Sequence, residues 1–348
     1  MSDYSDNIRS LNARDLIRLR PNMYIGAKNK TGVGYLLSET LQNLCEKNNP
    51  NTALLVKIKE DIITLKFKGT ELNKIFSDNF EDGYHILTEV SNKMGLKNNS
   101  FPAFAILTHL SAEFELKCGN KELIKLKNDA FETTPSQVNK TDWLTIQLKL
   151  DQTILEEIIP CKYTLAAECR KLPALCSNVE IEFQYESSGE FMHEKHTMQE
   201  GLIGLFKNKL DQQYKGLHEE IYYHNGPPIF HVKVDEPSLS LEVAFAPTQF
   251  NAAFNISYYC FTNLVQGGSH TSYFDQAIKE LFKEINQEHS GYYNKLENYN
   301  LMTVVESDEQ FTYLGPTKSR IEAPALVQIM KKAFDKLKPE IMEHYHNN

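Results

Sequence analysis

Glu39 and Asn43 stand four residues apart in the run from Tyr35 to Glu46, where Leu37, Leu41 and Leu44 recur at helical spacing. That separation puts a carboxylate and an amide on one helix face, as a shared general-base site needs. It suits two solvated polar residues equally well. Lys318, in the loop Gly315-Pro316-Thr317-Lys318, reads by itself as a solvated loop lysine. His193-x-x-His196 has the spacing of two metal ligands on a helix, in a polar stretch with Glu190 and Glu194 and no evident third ligand. His344-x-His346 reads as a frayed tail. Neither G-x-S-x-G nor the phosphate loop G-x-x-x-x-G-K-[ST] occurs.

Elements must hold these residues. Ala13 to Arg20 suits a short helix stopped by Pro21, and Asn22 to Gly34, with three glycines, reads as a loop before the helix of Glu39. Ala53–Ile58 and Asp61–Phe67 alternate around a polar turn, which predicts a β-hairpin, and Gly119-Asn120 marks a second hairpin between Ala112–Cys118 and Lys121–Leu126. Tyr84–Met94 looks helical, Ala103–Leu110 is a short apolar segment, and Trp143–Leu150 alternates as a strand. Thr153–Lys171 predicts a helix and Val179–Tyr185 a strand ending in a Ser187-Ser188-Gly189 turn. Gly201–Leu210 predicts a helix, and the polar stretch Asp211–Glu219 after it is a candidate boundary. Strands at Ser238–Phe245, Asn255–Asn263 and Leu301–Glu306 alternate with helices at Thr271–Asn286 and Pro324 to about Lys338.

The 348 residues predict two domains or one large one, and 41% apolar with 24% charged residues excludes a disordered or fibrous chain. A net charge of −9 argues against a general nucleic-acid binder; only a local basic patch could restore such contact. No run of 18 apolar residues is present, and the polar, acidic start lacks the build of a signal peptide. Six cysteines without a C-x-x-C pair read as reduced, mostly buried thiols of a cytoplasmic protein.

Arg18-Leu19-Arg20-Pro21-Asn22-Met23-Tyr24-Ile25-Gly26, followed by the helix with Glu39 and Asn43, resembles the opening of the ATPase subunit of bacterial type II topoisomerases, the family of gyrase B and the E-subunit of topoisomerase IV. Further matches follow in order. Glu200-Gly201 stands where the family's second domain begins, Gly267-Gly268-Ser269-His270 resembles its G-G-T-H turn, and Gly315-Pro316-Thr317-Lys318 its Q-T-K loop. The resemblance runs from about Ile8 to about Lys338. It implies a two-domain α/β (α+β) fold: a GHKL-type ATPase sandwich over residues 1–200 and a ribosomal-S5-like transducer over 201–348. It implies ATP and Mg²⁺ as cofactors. Glu39 would polarise the attacking water, Asn43 would hold Mg²⁺, Gly69 and Thr317 would line the nucleotide, and Lys318 would reach the γ-phosphate.

Three departures bear on that site. The family's D-x-G-x-G has Phe67 at its aspartate, which hydrogen-bonds the adenine amino group, and Glu71 at its second glycine. Phe67 cannot accept a hydrogen bond; Asp61 and Asp78 are the alternative acceptors nearby. The glycine-rich lid corresponds to Lys97–Ala105, which has no glycine, places Pro102 without an N–H, and carries Phe101 and Phe104, which would crowd a polyphosphate. The aspartate before the metal asparagine is Gln42. The expectation is therefore an ATP-operated dimer clamp acting on DNA topology with weak or lost ATP binding. The alternative is a pseudo-ATPase serving as a dimerisation or partner-binding module. The resemblance further implies a homodimer through the N-terminal arm, Met1 to about Asn12, with DNA and a gyrase-A-like subunit as partners and no membrane. The basic residues from Lys318 to Lys338 would face the DNA cavity, or simply solvent. In the family a Toprim domain follows and takes part in cleavage, so this polypeptide is not expected to cut DNA alone.

Overall fold

The computed structural model describes residues 12–45, 52–89, 102–176, 179–197, 201–214, 227–248, 253–259, 262–263, 267–288, 296–307, 311, 313–314 and 320–347. The chain divides into two compact units, Met1–Gln199 and Glu200–Asn348.

The first unit opens with α1 (Ala13–Leu19), whose first turn is capped by Asn12 Oδ1 accepting from the Asp15 amide at 2.8 Å. A single turn, α2 (Asn22–Ile25), ends at Gly26 with φ +76°. Helix α3 (Lys30–Leu44) then begins five residues before the expected Tyr35, capped by Asn29. Two of the three glycines that suggested a loop, Gly32 and Gly34, lie inside it, and Gly32 is there for space. A Cβ at that position would lie 1.9 Å from the Ala27 carbonyl oxygen.

The hairpin β1 (Thr52–Lys59) and β2 (Ile62–Lys68) turns through Glu60 at φ +52°. Two helices follow, α4 (Glu71–Asp78) and α5 (Phe80–Thr88), the first unforeseen in the sequence. The apolar segment becomes α6 (Pro102–His109). Then come β3 (Ser111–Cys118), β4 (Lys121–Lys127), the short β5 (Ala130–Thr133) and β6 (Leu144–Leu150). Helix α7 (Lys162–Leu175) starts nine residues later than expected, because the Asp151 carboxylate holds the Thr153 amide and hydroxyl at 2.8 and 2.7 Å in a tight turn. A last hairpin joins β7 (Val179–Ser187) to β8 (Glu190–Thr197).

These eight strands form one sheet in the order β5-β4-β3-β6-β2-β1-β7-β8, antiparallel except for β1 beside β7. Alternation along the strands sends one set of side chains into the core: Leu54, Val56 and Ile58; Ile63, Leu65 and Phe67; Leu144, Ile146 and Leu148; Ile181 and Phe183. Each fully buried side chain of this size contributes about 1.5–3 kcal/mol. Helix α3 packs against both α6 and α7 over that face, and α7 lies on β7. The opposite face carries Lys57, Lys66, Lys68, Gln147 and Glu182.

The second unit begins with α8 (Gly201–Tyr214), which absorbs the first residues of the expected boundary Asp211–Glu219; residues 215–219 lie outside the described residues. Strands β9 (Phe230–Asp235), β10 (Leu239–Thr248), β11 (Asn255–Tyr259) and β12 (Thr262–Asn263) lead to α9 (Ser269–Glu288). Then follow β13 (Asn298–Ser307), the short pair β14 (Tyr313–Leu314) and β15 (Arg320–Ile321), and α10 (Pro324–Asn347). The five-stranded sheet runs β12-β11-β13-β10-β9, with β11 parallel to β13. Helices α9 and α10 pack together over it, around Phe245, Phe274, Phe282, Leu301 and Phe334. Phe245 and Phe274 meet edge to face at 5.5 Å between centroids.

Candidate functional site

The helical period of α3 settles how its side chains divide. Leu36, Leu37, Thr40, Leu41 and Leu44 are buried, while Tyr35, Glu39 and Asn43 share a neighbouring, more open face. Glu39 is half-buried and accepts a hydrogen bond from the Tyr35 hydroxyl one turn earlier at 2.5 Å. Asn43, also half-buried, follows one turn later. Gln42 turns to α7, where its Nε2 donates to Glu168 Oε1 at 2.8 Å and Lys171 Nζ pairs with the same oxygen at 2.7 Å. An amide rather than a carboxylate at position 42 therefore serves helix packing.

At the position that the resemblance gives to the adenine acceptor, Phe67 is fully buried on β2, flanked by Leu54 and Leu144 in the register. Gly69 leaves the strand at φ +69°, and its carbonyl accepts from Thr52 Oγ1 at 3.0 Å. Directly after it the chain does not continue as a loop. Thr70 and Asn73 cap the start of α4 reciprocally: the Asn73 amide donates to Thr70 Oγ1 at 3.3 Å, the Thr70 amide to Asn73 Oδ1 at 3.1 Å. Glu71, the residue at the second glycine position, opens that helix and pairs with Lys74. Neither alternative acceptor replaces the missing aspartate. Asp61 is at the opposite end of β2, bound to Lys149, whose ammonium lowers its carboxyl pKa; Asp78 pairs with Lys140 at 3.5 Å. Phe104 is a fully buried residue of α6, so it does not crowd a phosphate as expected. The rest of the lid, residues 97–101, lies outside the described residues, as do the arm through Leu11 and the loop with Thr317 and Lys318.

The oxygen donors at the phosphate end, Glu39 and Asn43, fit the chemistry of a hydrated Mg²⁺ and an attacking water. At the position that the resemblance gives to the adenine acceptor, Phe67 is a buried phenyl ring that cannot accept a hydrogen bond, so this residue does not fit adenine.

Helix α1, which leads into the Arg-x-Arg-Pro run, carries a structural duty that spacing did not reveal. Arg14 donates to the carbonyls of His109 at 3.1 Å and Ser111 at 3.2 Å. Arg18 donates to the His109 carbonyl at 3.4 Å and pairs with Asp151. Two guanidinium groups thus close the C-terminal end of α6, where the unpaired carbonyls and the helix dipole favour cations. His109 itself is buried and reaches the Thr88 carbonyl at 2.7 Å, so Nε2 carries the proton; burial and the two arginines lower its pKa.

In the second unit, the Gly267-Gly268-Ser269-His270 turn is a close backbone contact. A Cβ on Gly268 would lie 2.5 Å from the Ile321 carbonyl oxygen, and Gly267 has φ +66°. His270 is wholly buried, with Nε2 2.8 Å from Ser257 Oγ, which accepts in turn from Thr303 Oγ1 at 2.9 Å. Burial pushes its pKa down to about 4. A serine beside a histidine resembles a nucleophile and base, but no substrate reaches a fully buried pair; this is a polar tie within the core.

The expected histidine pair is corrected. His193 and His196 lie on strand β8 rather than a helix, on opposite faces, bound to Glu182 and Glu194 at 2.9 Å each. Among the described residues no group of three candidate ligands can hold a metal ion. The basic C-terminal residues are largely matched: Arg320 to Glu322, Lys332 to Glu236, Lys338 to Glu284.

No protein-family model matches the chain. The B-subunit of DNA gyrase from Staphylococcus aureus is 21% identical over 94% of this chain and 54% of that protein; that of Thermotoga maritima is 23% identical over 83% and 48%. The chain spans about half the length of the curated relatives it matches. Among solved structures, the B-subunit of DNA gyrase from Myxococcus xanthus superimposes with a TM-score of 0.67 at 16% identity, covering 95% of this chain and 94% of that one. The ATPase region of Saccharomyces cerevisiae topoisomerase II gives 0.55 at 16% identity, over 99% and 100%. In fold, and in low-identity sequence over most of its length, the chain is similar to the B-subunit of DNA gyrase and to the ATPase regions of type II topoisomerases.

Proposed function

We propose that the chain is the ATPase-and-transducer module of a gyrase-B-like type II topoisomerase, a dimer clamp acting on DNA topology in which ATP binding is weak or lost. The observation that carries the second half is Phe67: a fully buried ring where the family's adenine acceptor stands. Glu39 and Asn43 would serve the water and Mg²⁺, with Thr317 and Lys318 closing on the phosphates. The first unit would act as the ATPase-like domain and the second as the transducer. A homodimer through the N-terminal arm, contact with DNA and a gyrase-A-like subunit, and a cytoplasmic location complete the proposal; no helix among the described residues is long and apolar enough to cross a membrane.

The deciding measurement is a calorimetric titration of the chain with a non-hydrolysable ATP analogue and Mg²⁺. Binding in the low micromolar range overturns the weak-site reading and restores an ordinary ATP-operated clamp. Absence of binding, with a dimer in solution, favours the pseudo-ATPase that serves as a dimerisation or partner-binding module. Any residual hydrolysis should fall about 10²- to 10⁴-fold in Glu39→Ala.

A further inference from the structure

The open face of the eight-stranded sheet carries a basic cluster around an aromatic ring. Lys57 on β1 lies opposite Thr64; Lys66 lies between Leu55 and Thr145, and Lys68 beside Ala53. Same-face neighbours along a strand are about 7 Å apart, and diagonal ones about 7–8 Å. Trp143, immediately before β6, lies under two of these side chains: Lys66 Nζ is 4.9 Å and Lys68 Nζ 5.0 Å from its ring centroid. Surrounding lysines are matched by carboxylates: Lys117 by Glu115, Lys149 by Asp61, Lys59 by Glu186 and Lys195 by Glu182. Asp142 is engaged by the Asn139 amide at 2.9 Å. Glu180, beside Ala53, is an exposed acid of the adjoining strand. No carboxylate among the described residues pairs with Lys57, Lys66 or Lys68. In a chain of net charge −9, this part of the surface retains positive charge.

We propose that this cluster binds single-stranded nucleic acid, with phosphates on Lys57, Lys66 and Lys68 and a base on the Trp143 ring. Two ammonium groups gathered over one indole repel each other, and a phosphate between them relieves that repulsion. The ring attracts a cation or a base through the same π-face, so a base takes the ring as the lysines turn to the backbone. An acidic peptide would neutralise the lysines but offers nothing planar to the ring, and a duplex keeps its bases stacked within. The site uses one unit and no ATP, so it stands or falls independently of the clamp.

Trp143 is the single tryptophan of the chain, so its emission reads the site directly. The full chain, without ATP, is titrated with a short oligothymidine at about 50 mM salt. The expected result is saturable quenching with a dissociation constant of about 10⁻⁵ M that weakens steeply towards 200 mM. Lys66→Glu with Lys68→Glu should weaken binding about tenfold or more and reduce the log–log salt slope by about 1.4, two phosphates at 0.7 each. Trp143→Leu, followed by the anisotropy of a labelled strand, should weaken it about tenfold. The lysine variants lie on the open face and keep the core intact, which circular dichroism checks. No quenching, quenching unchanged in the double lysine variant, affinity unchanged in a folded Trp143→Leu, or equal quenching by polyglutamate would each overturn the proposal, the last in favour of an acidic peptide.

Discussion

Phe67 is a core residue before it is anything else. It is fully buried between Leu54 and Leu144, so removing it costs core packing whatever it does to nucleotide binding. Phe67→Ala should destabilise the chain by about 3–5 kcal/mol in urea unfolding. Phe67→Asp, which restores the family's residue type, should be worse, because the carboxylate is buried without a partner. His270 gives a second prediction at this scale. Its folded pKa of about 4 lies below the ordinary value near 6.5, so the unfolded chain takes up a proton that the folded chain refuses. The stability that depends on neutral His270 is complete above pH 6.5 and is lost as pH falls through the window from 6.5 to 4. Between about pH 7 and pH 5 the loss should be about 2 kcal/mol. His270→Asn should show a shallower fall of urea midpoint over that range; an identical fall in both proteins would contradict the assignment.

At the scale of elements, α3 depends on two glycines with different roles. A Cβ on Gly32 meets the Ala27 carbonyl at 1.9 Å, whereas a Cβ on Gly34 has only Thr164 Cγ2 at 4.0 Å. Gly32→Ala should therefore destabilise by about 1–3 kcal/mol. Gly34→Ala should stabilise by up to about 1 kcal/mol, since alanine gains helix propensity without a clash. Denaturation of the pair checks both signs at once. The Arg14–Arg18 closure of α6 makes a parallel case. Arg18→Ala leaves Asp151 without its guanidinium in a site where its side chain is 11% exposed, and should cost about 3 kcal/mol.

At the scale of the molecule, each unit has its own sheet and its own apolar core, the second built on Phe245, Phe274, Phe282 and Phe334. A unit that buries its own core can fold by itself. Residues 200–348 expressed alone should give a cooperative thermal transition with the near-ultraviolet dichroism of packed aromatics. A broad, non-cooperative melt would show that its core is completed by residues outside it.

Much of the framework was legible before any folding. The Lys59-Glu60-Asp61 and Gly119-Asn120 turns between alternating strands, and the leucine spacing of α3, are local signals that local physics obeys. The Arg-x-Arg-Pro, Gly-Gly-Ser-His and Glu-x-x-x-Asn runs were enough to name the fold, because their order along the chain is hard to reach by chance. Other features were decided only in three dimensions. Helix α4 was hidden because its Thr70–Asn73 cap sits where a glycine run was expected. The glycines of α3 looked like loop residues because sequence does not show which backbone they must pass. His193 and His196 looked like helix ligands because a spacing of three means one face on a helix and opposite faces on a strand. Phe67 was legible as a missing acceptor. That it is wholly buried in the core, and that Lys66, Lys68 and Trp143 converge on the other face of the same sheet, follows from pairing strands distant in the chain. Register across such strands is set by the whole hydrophobic face, which no short window of sequence contains.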